Sequence, residues 1–422
     1  YSHSINQSLR FQDNDAPHLD KNFSSGGDQK TWTWSCWVKI ADPSAQKMIF
    51  SGASNTSNLM YLQMRGDSQN NRIDIQWRQG SSTTRTMSTN RQFRDIGGWY
   101  HIVWAVDTTQ STDAYKIRLY INGSEETSWS TDNRSTIDDD SDLPINAASD
   151  HSIGTYSLSP SAYFDGYMAE VHFVDGTQLD HNSFGEIKAG IWIPKKYTGS
   201  HGTTGFYLPF DDSSAIGDDE SSNTNDWTPS GFDAEDVVLD SPTNNFGTLS
   251  ETYPTHSTLS EANLRVASLS TATRGNFAVN SGKWYFEVLQ DDAGTFNYFV
   301  GVAANRALTY VGMGNANGGN SPNVFNILTN TNGTITQPTG SRVSNVVIGI
   351  ALDMDGGDVY FYYNGSLNGK VENITDSSFV DIVPYLSPYT GTIGYQAVAL
   401  NFGQDSSFAG QKTAGGNADG NG

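Results

Sequence analysis

Lys116-Ile117-Arg118-Leu119-Tyr120-Ile121-Asn122-Gly123-Ser124 decides the fold class. Ile117, Leu119 and Ile121 alternate with Lys116, Arg118 and Tyr120. That period of two marks a strand with one buried and one exposed face. Asn122-Gly123 then supplies the positive φ angles of a tight hairpin turn. The same phrase returns as Asp358-Val359-Tyr360-Phe361-Tyr362-Tyr363-Asn364-Gly365-Ser366. Upstream of the two copies lie Gly98-Trp99-Tyr100-His101-Ile102-Val103 and Lys283-Trp284-Tyr285-Phe286-Glu287-Val288. The echo predicts two domains of one architecture without requiring a recent duplication.

Outward from these anchors, helical periodicity is nearly absent. Strands are expected at 34–40, 48–51, 58–65, 72–78, 99–107, 116–121, 163–174 and 204–209, with one short helix around His181 to Ala189, capped by Asn182 or Ser183. In the second half the expected strands are 264–268, 283–289, 298–303, 343–353 and 358–363, and the run 393–402 closes the set. Val346, Ile348, Ile350 and Leu352 share one face of a strand; Val347, Gly349 and Ala351 share the other. Both faces are apolar or small, which predicts a central strand covered on both sides. Residues 211–226 are polar and acidic and read as a linker or surface loop. The domain expectation is therefore 1–210, the linker 211–226, a second domain 227–408, and a flexible Gly-rich tail 409–422. The fold class is all-β, two jelly-roll sandwiches in tandem.

Composition narrows function. With 46 Asp and Glu against 24 Lys and Arg, the formal charge is −22. Such a chain repels nucleic-acid phosphates and anionic membranes, and acidity also keeps a protein soluble in salt. The single cysteine, Cys36, excludes an intrachain disulfide and reads as a buried structural thiol. This argues against a disulfide-forming secretory route. No apolar stretch approaches a membrane span, and Tyr1-Ser2-His3-Ser4 lacks a signal-peptide core. Synthesis in a cytoplasm is expected, with or without later display outside it.

The motif order adds a resemblance. Leu9-Arg10-Phe11, Trp34-Ser35-Cys36-Trp37-Val38, Trp99-Tyr100-His101-Ile102-Val103, Leu119-Tyr120-Ile121-Asn122-Gly123 and Phe164-Asp165-Gly166-Tyr167-Met168-Ala169-Glu170-Val171 occur in succession. They resemble the laminin-G-like and pentraxin-like branch of the concanavalin-A-like fold, over roughly residues 9–210. Gly282 to Val288, Val300-Gly301-Val302-Ala303, Val347 to Asp353, Val359 to Gly365 and Val383-Pro384-Tyr385-Leu386 resemble a SPRY domain over roughly 227–405. The pairing, bridged by Asp240-Ser241-Pro242-Thr243-Asn244-Asn245-Phe246, is similar to structural proteins of marine bacteriophages, usually assigned to tail fibres, appendages or particle surfaces. The resemblance implies a non-enzymatic virion protein, made in the host cytoplasm, exposed on the particle or tail and present in many copies. Its partners would be other virion proteins and a host-surface glycan or protein. The alternatives are a purely structural decoration or connector protein and, more remotely, a polysaccharide-degrading enzyme.

Site motifs are sparse. No Glu-x-Asp-x-Glu triple, His-x-x-x-His, P-loop or Gly-x-Ser-x-Gly elbow occurs, so no catalytic residue is assigned. Glu170 and Asp175 come nearest to a carboxylate pair, but their spacing assigns them to opposite faces of a strand that runs into an Asp-Gly turn. Calcium is the best metal candidate: Asp138, Asp139, Asp140 and Asp142 offer hard oxygens in one loop. The competing reading is a solvated acidic turn. For the SPRY-like half the resemblance implies binding on loops at one end, where Tyr310 would stack on a sugar and Asn315 and Asn317 would bond hydroxyls.

Overall fold

The structure, a computed structural model, describes residues 2–66, 71–252, 257–266, 269–290, 298–305, 309–314, 326–339, 345–388 and 397–413. It divides into two units, residues 1–245 and 246–422.

In the first unit, one antiparallel sheet runs Ser124–Glu125, Ile117–Ile121, Tyr100–Asp107, Thr31–Ile40, Gly166–Asp175, Ser8–Phe11, Val237–Val238. The facing sheet runs Trp129–Asp132, Arg85–Thr89, Arg72–Arg78, Asn58–Arg65, Gln46–Asn55, Asp150–Ile153, His18–Asn22, Thr228–Ser230. Alternation in Thr31–Ile40 sends Trp32, Trp34, Cys36, Val38 and Ile40 into the space between the sheets. There Trp34 stacks on Phe50 of the facing sheet at 4.0 Å. Cys36 is fully buried, as expected of a structural thiol. Desolvation raises its pKa well above the usual thiol value, so it holds its proton. The other face of the same strand is buried too, because Ile5 and Trp192 pack with Trp37 there.

The first unit ends at Asn245, not at residue 210, and the expected linker belongs to it. Phe210, Ile216 and Trp227 join its core. Thr228–Ser230 and Val237–Val238 add a strand to each sheet. Ahead of them, across 219–225, side chains do the work of a ladder. Asp219 accepts from the backbone of Tyr207, Ser221 and Asn225. Asn223 and Asn225 donate to the carbonyl of Gly205. Such bonds leave no periodicity in a sequence, so a polar stretch that is sewn down looks like a linker. The helix expected over 181–189 is a single 3₁₀ turn, His181–Ser183, which Asp180 caps. A hairpin of Gly185–Lys188 and Ile191–Pro194 follows it.

In the second unit, one sheet runs Leu259–Ser260, Arg265–Val266, Val398–Asn401, Lys283–Gln290, Val346–Asp353, Asp358–Tyr363, Ser366–Glu372, Thr334–Thr336. The other runs Thr273–Arg274, Ile382–Pro388, Tyr298–Ala304, Tyr310–Gly314, Asn326–Thr329. Val288, Ile348, Ile350 and Phe361 from the first meet Val300, Val302 and Val311 from the second in one core. The expected flexible tail lies, from residue 414 on, outside the described residues.

Both Asn-Gly turns form. Asn122 and Gly123 have φ of 49° and 76°; Asn364 and Gly365 have 46° and 79°. A Cβ on Gly365 meets nothing within 4 Å, whereas one on Gly123 would sit 2.3 Å from the Trp192 ring. Gly365→Ala should therefore cost about 1 kcal/mol, from backbone strain alone. Gly123→Ala should cost clearly more because the indole must move. Equal losses in urea denaturation of the two variants would contradict this.

Candidate functional site

Gly166–Asp175 pairs along one edge with Thr31–Ile40. Two short strands share its other edge. Ser8–Phe11 covers Gly166 to Met168, and Phe206–Leu208 covers Val171 to Phe173. Glu170 falls in the gap. The register slips there between Ala169 and His172, and Glu170 takes a φ of 51°. A non-glycine residue in the left-handed region at a β-bulge is a costly arrangement that re-aims a side chain. The chain on either side of the gap opens into a cleft of about 420 Å³, lined by His3 to Gln7, Glu170, His172, Lys196, Tyr197, His201, Tyr207, Pro209, Asp211 and Glu220.

The Glu170 carboxylate is buried among donors. His3 Nε2 lies 2.8 Å from Oε2, Tyr207 Oη donates to Oε1 at 2.6 Å, and His172 Nε2 is 3.7 Å away. Burial works to raise the Glu170 pKa. The bonds from His172, His3 and Tyr207 outweigh it and hold the carboxyl at about 2. The His172 ring lies flat against Tyr207 (4.3 Å, 2°), and His201 stacks beyond it at 5.5 Å. Burial first, then the neighbouring His172, lowers the His201 pKa to about 4. The Tyr207 phenol is raised by burial and by the facing Glu170. At neutral pH this wall therefore presents an ionised carboxylate, a neutral His201 and neutral aromatic rings.

Asp175 stands apart from the cleft and accepts from Asp28 N, Asn146 Nδ2 and Thr203 N. It pins loops, as a structural reading of it requires. Glu170 departs from that reading: it sits at a break in the middle of the strand. Its φ and the change of neighbouring strand are tertiary facts; the only trace in the sequence is that Glu170 and His172 lie two apart on a strand.

The acidic loop does not gather its oxygens. Asp139 pairs with Lys116 at 2.7 Å and Asp140 with Lys30 at 3.0 Å. Among the described residues, Asp138, Asp139, Asp140 and Asp142 do not converge as a metal-binding group. Calcium needs six to eight oxygens around one point, and carboxylates spent on lysines do not supply that. Asp13, Asp42 and Asp165 do converge. The Lys47 ammonium already occupies that point, 2.6 Å from Asp13 and 3.2 Å from Asp42. Tyr310 lies in the strand Tyr310–Gly314, half-buried with its ring edge-on to Phe299 at 5.1 Å, so it is not a loop tip. Asn315 and Asn317 lie outside the described residues.

Residues 14–180 match the family model described as the concanavalin A-like lectin/glucanases superfamily. No curated protein matches the sequence. Among solved structures the chain is similar to domains LG4-5 of the mouse laminin alpha1 chain, with 10% identity, 97% of this chain and 94% of that one covered, and a TM-score of 0.34. It is also similar to a putative carbohydrate binding protein from Bacteroides ovatus, with 14% identity, 54% and 58% covered, TM-score 0.35. The SPRY domain of human HERC1 aligns at 16% identity over 32% of this chain and 93% of that one, TM-score 0.23. The chain is thus an all-β protein whose first unit contains a concanavalin-A-like, laminin-G-type domain.

Proposed function

We propose that this chain is a non-enzymatic binding protein on the surface or tail of a bacteriophage particle, where it engages a host-surface glycan or protein. The observation that carries the binding half is the state of Glu170. A glycosidase needs one carboxylic acid that keeps its proton near neutral pH. Glu170, held at about 2, has none to give. Its oxygens are already spent on His3, Tyr207 and His172, which fix the wall of the cleft. That leaves Tyr197, His201, Asp211 and Glu220 to meet a ligand with flat rings and acceptors. The concanavalin-A-like domain supports the same reading. The virion half rests on the order of the laminin-G-like and SPRY-like motifs and the bridge Asp240 to Phe246. Many copies on one particle would multiply a weak single-site affinity.

The test displays the protein multivalently on beads and offers candidate host cells and their isolated surface polysaccharide. Capture without shortening of the polysaccharide is the expected result, with capture reduced by Tyr197→Ala in the cleft. Shortened chains would mean an enzyme. Absence of capture from every candidate host would leave the structural decoration role.

A further inference from the structure

The outer face of the larger sheet in the second unit carries an aromatic trough. Register sets out its plan. Glu287, Gly349, Tyr362 and Leu367 lie side by side across four strands. The next row is Tyr285, Ala351, Tyr360 and Lys370, and beyond it Lys283, Asp353 and Asp358. Gly349 and Ala351, the smallest residues of the central strand, make the floor. Tyr285 lies across Gly349: a Cβ there would stand 2.3 Å from its Oη and 3.0 Å from its ring. Tyr362 stands nearly perpendicular to it, at 75° and 6.5 Å. Tyr285 remains 48% exposed and Leu367 54%. At one end Phe408 closes the face by packing on Leu289, Ala399 and Val347. From Gly349, which Tyr285 covers, to the half-exposed Ala351 and Asp353 the face runs about 14 Å at ~3.4 Å per residue.

We propose that this trough binds an extended neutral polysaccharide chain, with Tyr285 as the stacking floor and Tyr362 as the wall. Charge selects the occupant. Lys283 pairs with Asp353 and Lys370 with Glu372. Asp358 accepts from Tyr360 Oη and Asn373 N, and Glu287 from Tyr285 Oη and Asn401 Nδ2. Both ammoniums are thus taken, and four carboxylates stand against them on this face. An anionic chain would meet repulsion with no open cation among the described residues of this face to receive it. A purely apolar partner would bury these carboxylates and the tyrosine hydroxyls at a cost. A pyranose ring has apolar faces to lie on Tyr285 and hydroxyls at its rim to bond Glu287 and the phenols. The inference gives the binding role a ligand class and a place outside the first unit's cleft.

The full chain should be run in native gels containing starch, mixed-linkage β-glucan, xylan or galactomannan, with alginate as the anionic comparison. At least one neutral polysaccharide should retard it. Tyr285→Ala should weaken that retardation by about tenfold in Kd, the scale on which one lost contact is read. Gly349→Ala, which keeps Tyr285 but lifts its ring off the floor, should do the same while the melting transition persists. Trp284→Ala, on the opposite face of the same strand, should leave retardation unchanged. No retardation in any neutral gel, retardation in alginate alone, or unchanged retardation of Tyr285→Ala would each overturn the proposal. So would self-association in sedimentation that Tyr285→Ala abolishes. Retardation lost in Tyr197→Ala but kept in Tyr285→Ala would leave the first unit's cleft as the binding site and sink the trough.

Discussion

Replacing Asp240 by Ala is expected to destabilise the first unit by about 3–5 kcal/mol, the cost of breaking a buried ion pair by removing one member. Lys39 Nζ lies 2.7 Å from Asp240 Oδ2, and neither side chain reaches solvent. Trp99 Nε1 donates to the other Asp240 oxygen at 3.1 Å. Lys39 also donates to Asn245 Oδ1 at 2.9 Å and lies 5.5 Å from the Tyr167 ring centroid. Close by, Arg10, also buried, pairs with Asp236 at 3.0 Å. Removing the Asp240 carboxylate takes the anion at 2.7 Å away from an ammonium in a dry site. The double variant Lys39→Met with Asp240→Leu should recover most of the loss, because two apolar side chains remove both desolvation penalties. A fragment ending at residue 226 should fail to show a cooperative urea transition, and one ending at 245 should show it. A change below about 1 kcal/mol for Asp240→Ala would mean that the segment after residue 236 is not part of the first unit's fold.

The same residues explain what a sequence discloses here. Strands such as Asn58–Arg65, Arg72–Arg78 and Asp358–Tyr363 coincide with their expected limits because alternation, turn and burial agree within each. The domain limit was not legible. Lys39 and Asp240 are 201 positions apart, and nothing local says that a lysine in an apolar strand awaits a distant carboxylate. Val346–Asp353 is central, as its composition predicts; on the outer side Tyr285 buries Gly349, while Val347 and Ala351 remain half-exposed. The small residues Gly349 and Ala351 read as close packing, yet they make room for a tyrosine that lies on the surface. The cleft at Glu170 was hidden for a related reason. The gap between Ser8–Phe11 and Phe206–Leu208 exists only once both have paired with one strand.

Lowering the pH from 7 to 5 should remove about 4 kcal/mol from the stability of the first unit while the second changes little. Two fully buried imidazoles carry most of this; the partly exposed His201 adds a smaller share in the same direction, and His18, raised by its bond to Asp20, opposes it. His101 is fully buried, with Trp192 Nε1 donating to its Nδ1 and Ser35 Oγ at 2.9 Å from its Nε2. Burial first, then His172 and His181, lowers its pKa to about 3. His151 is equally buried; Asn146 N donates to its Nε2, leaving Nδ1 to donate to the Ser149 carbonyl. Its pKa is about 4, again chiefly through desolvation. Both folded values lie below the unfolded value of about 6.5. Between them the unfolded chain binds more protons, so stability is complete above pH 6.5 and falls as the pH drops toward 4 and then 3. At about 1.36 kcal/mol per pH unit for each group, pH 5 costs roughly 2 kcal/mol apiece. Glu170 acts lower down: its contribution is present above about 4.5 and is lost as the pH falls toward 2. The second unit contains one histidine, His256, so urea unfolding of the full chain should split into two transitions as the pH is lowered. A variant His151→Phe, which keeps a ring between Phe23 and Phe50, should lower the pH slope of the acid-sensitive transition by somewhat less than half, His101 and His201 carrying the rest. A slope below one proton between pH 6.5 and 5 in the unsubstituted protein would show that these histidines are not held neutral by the fold.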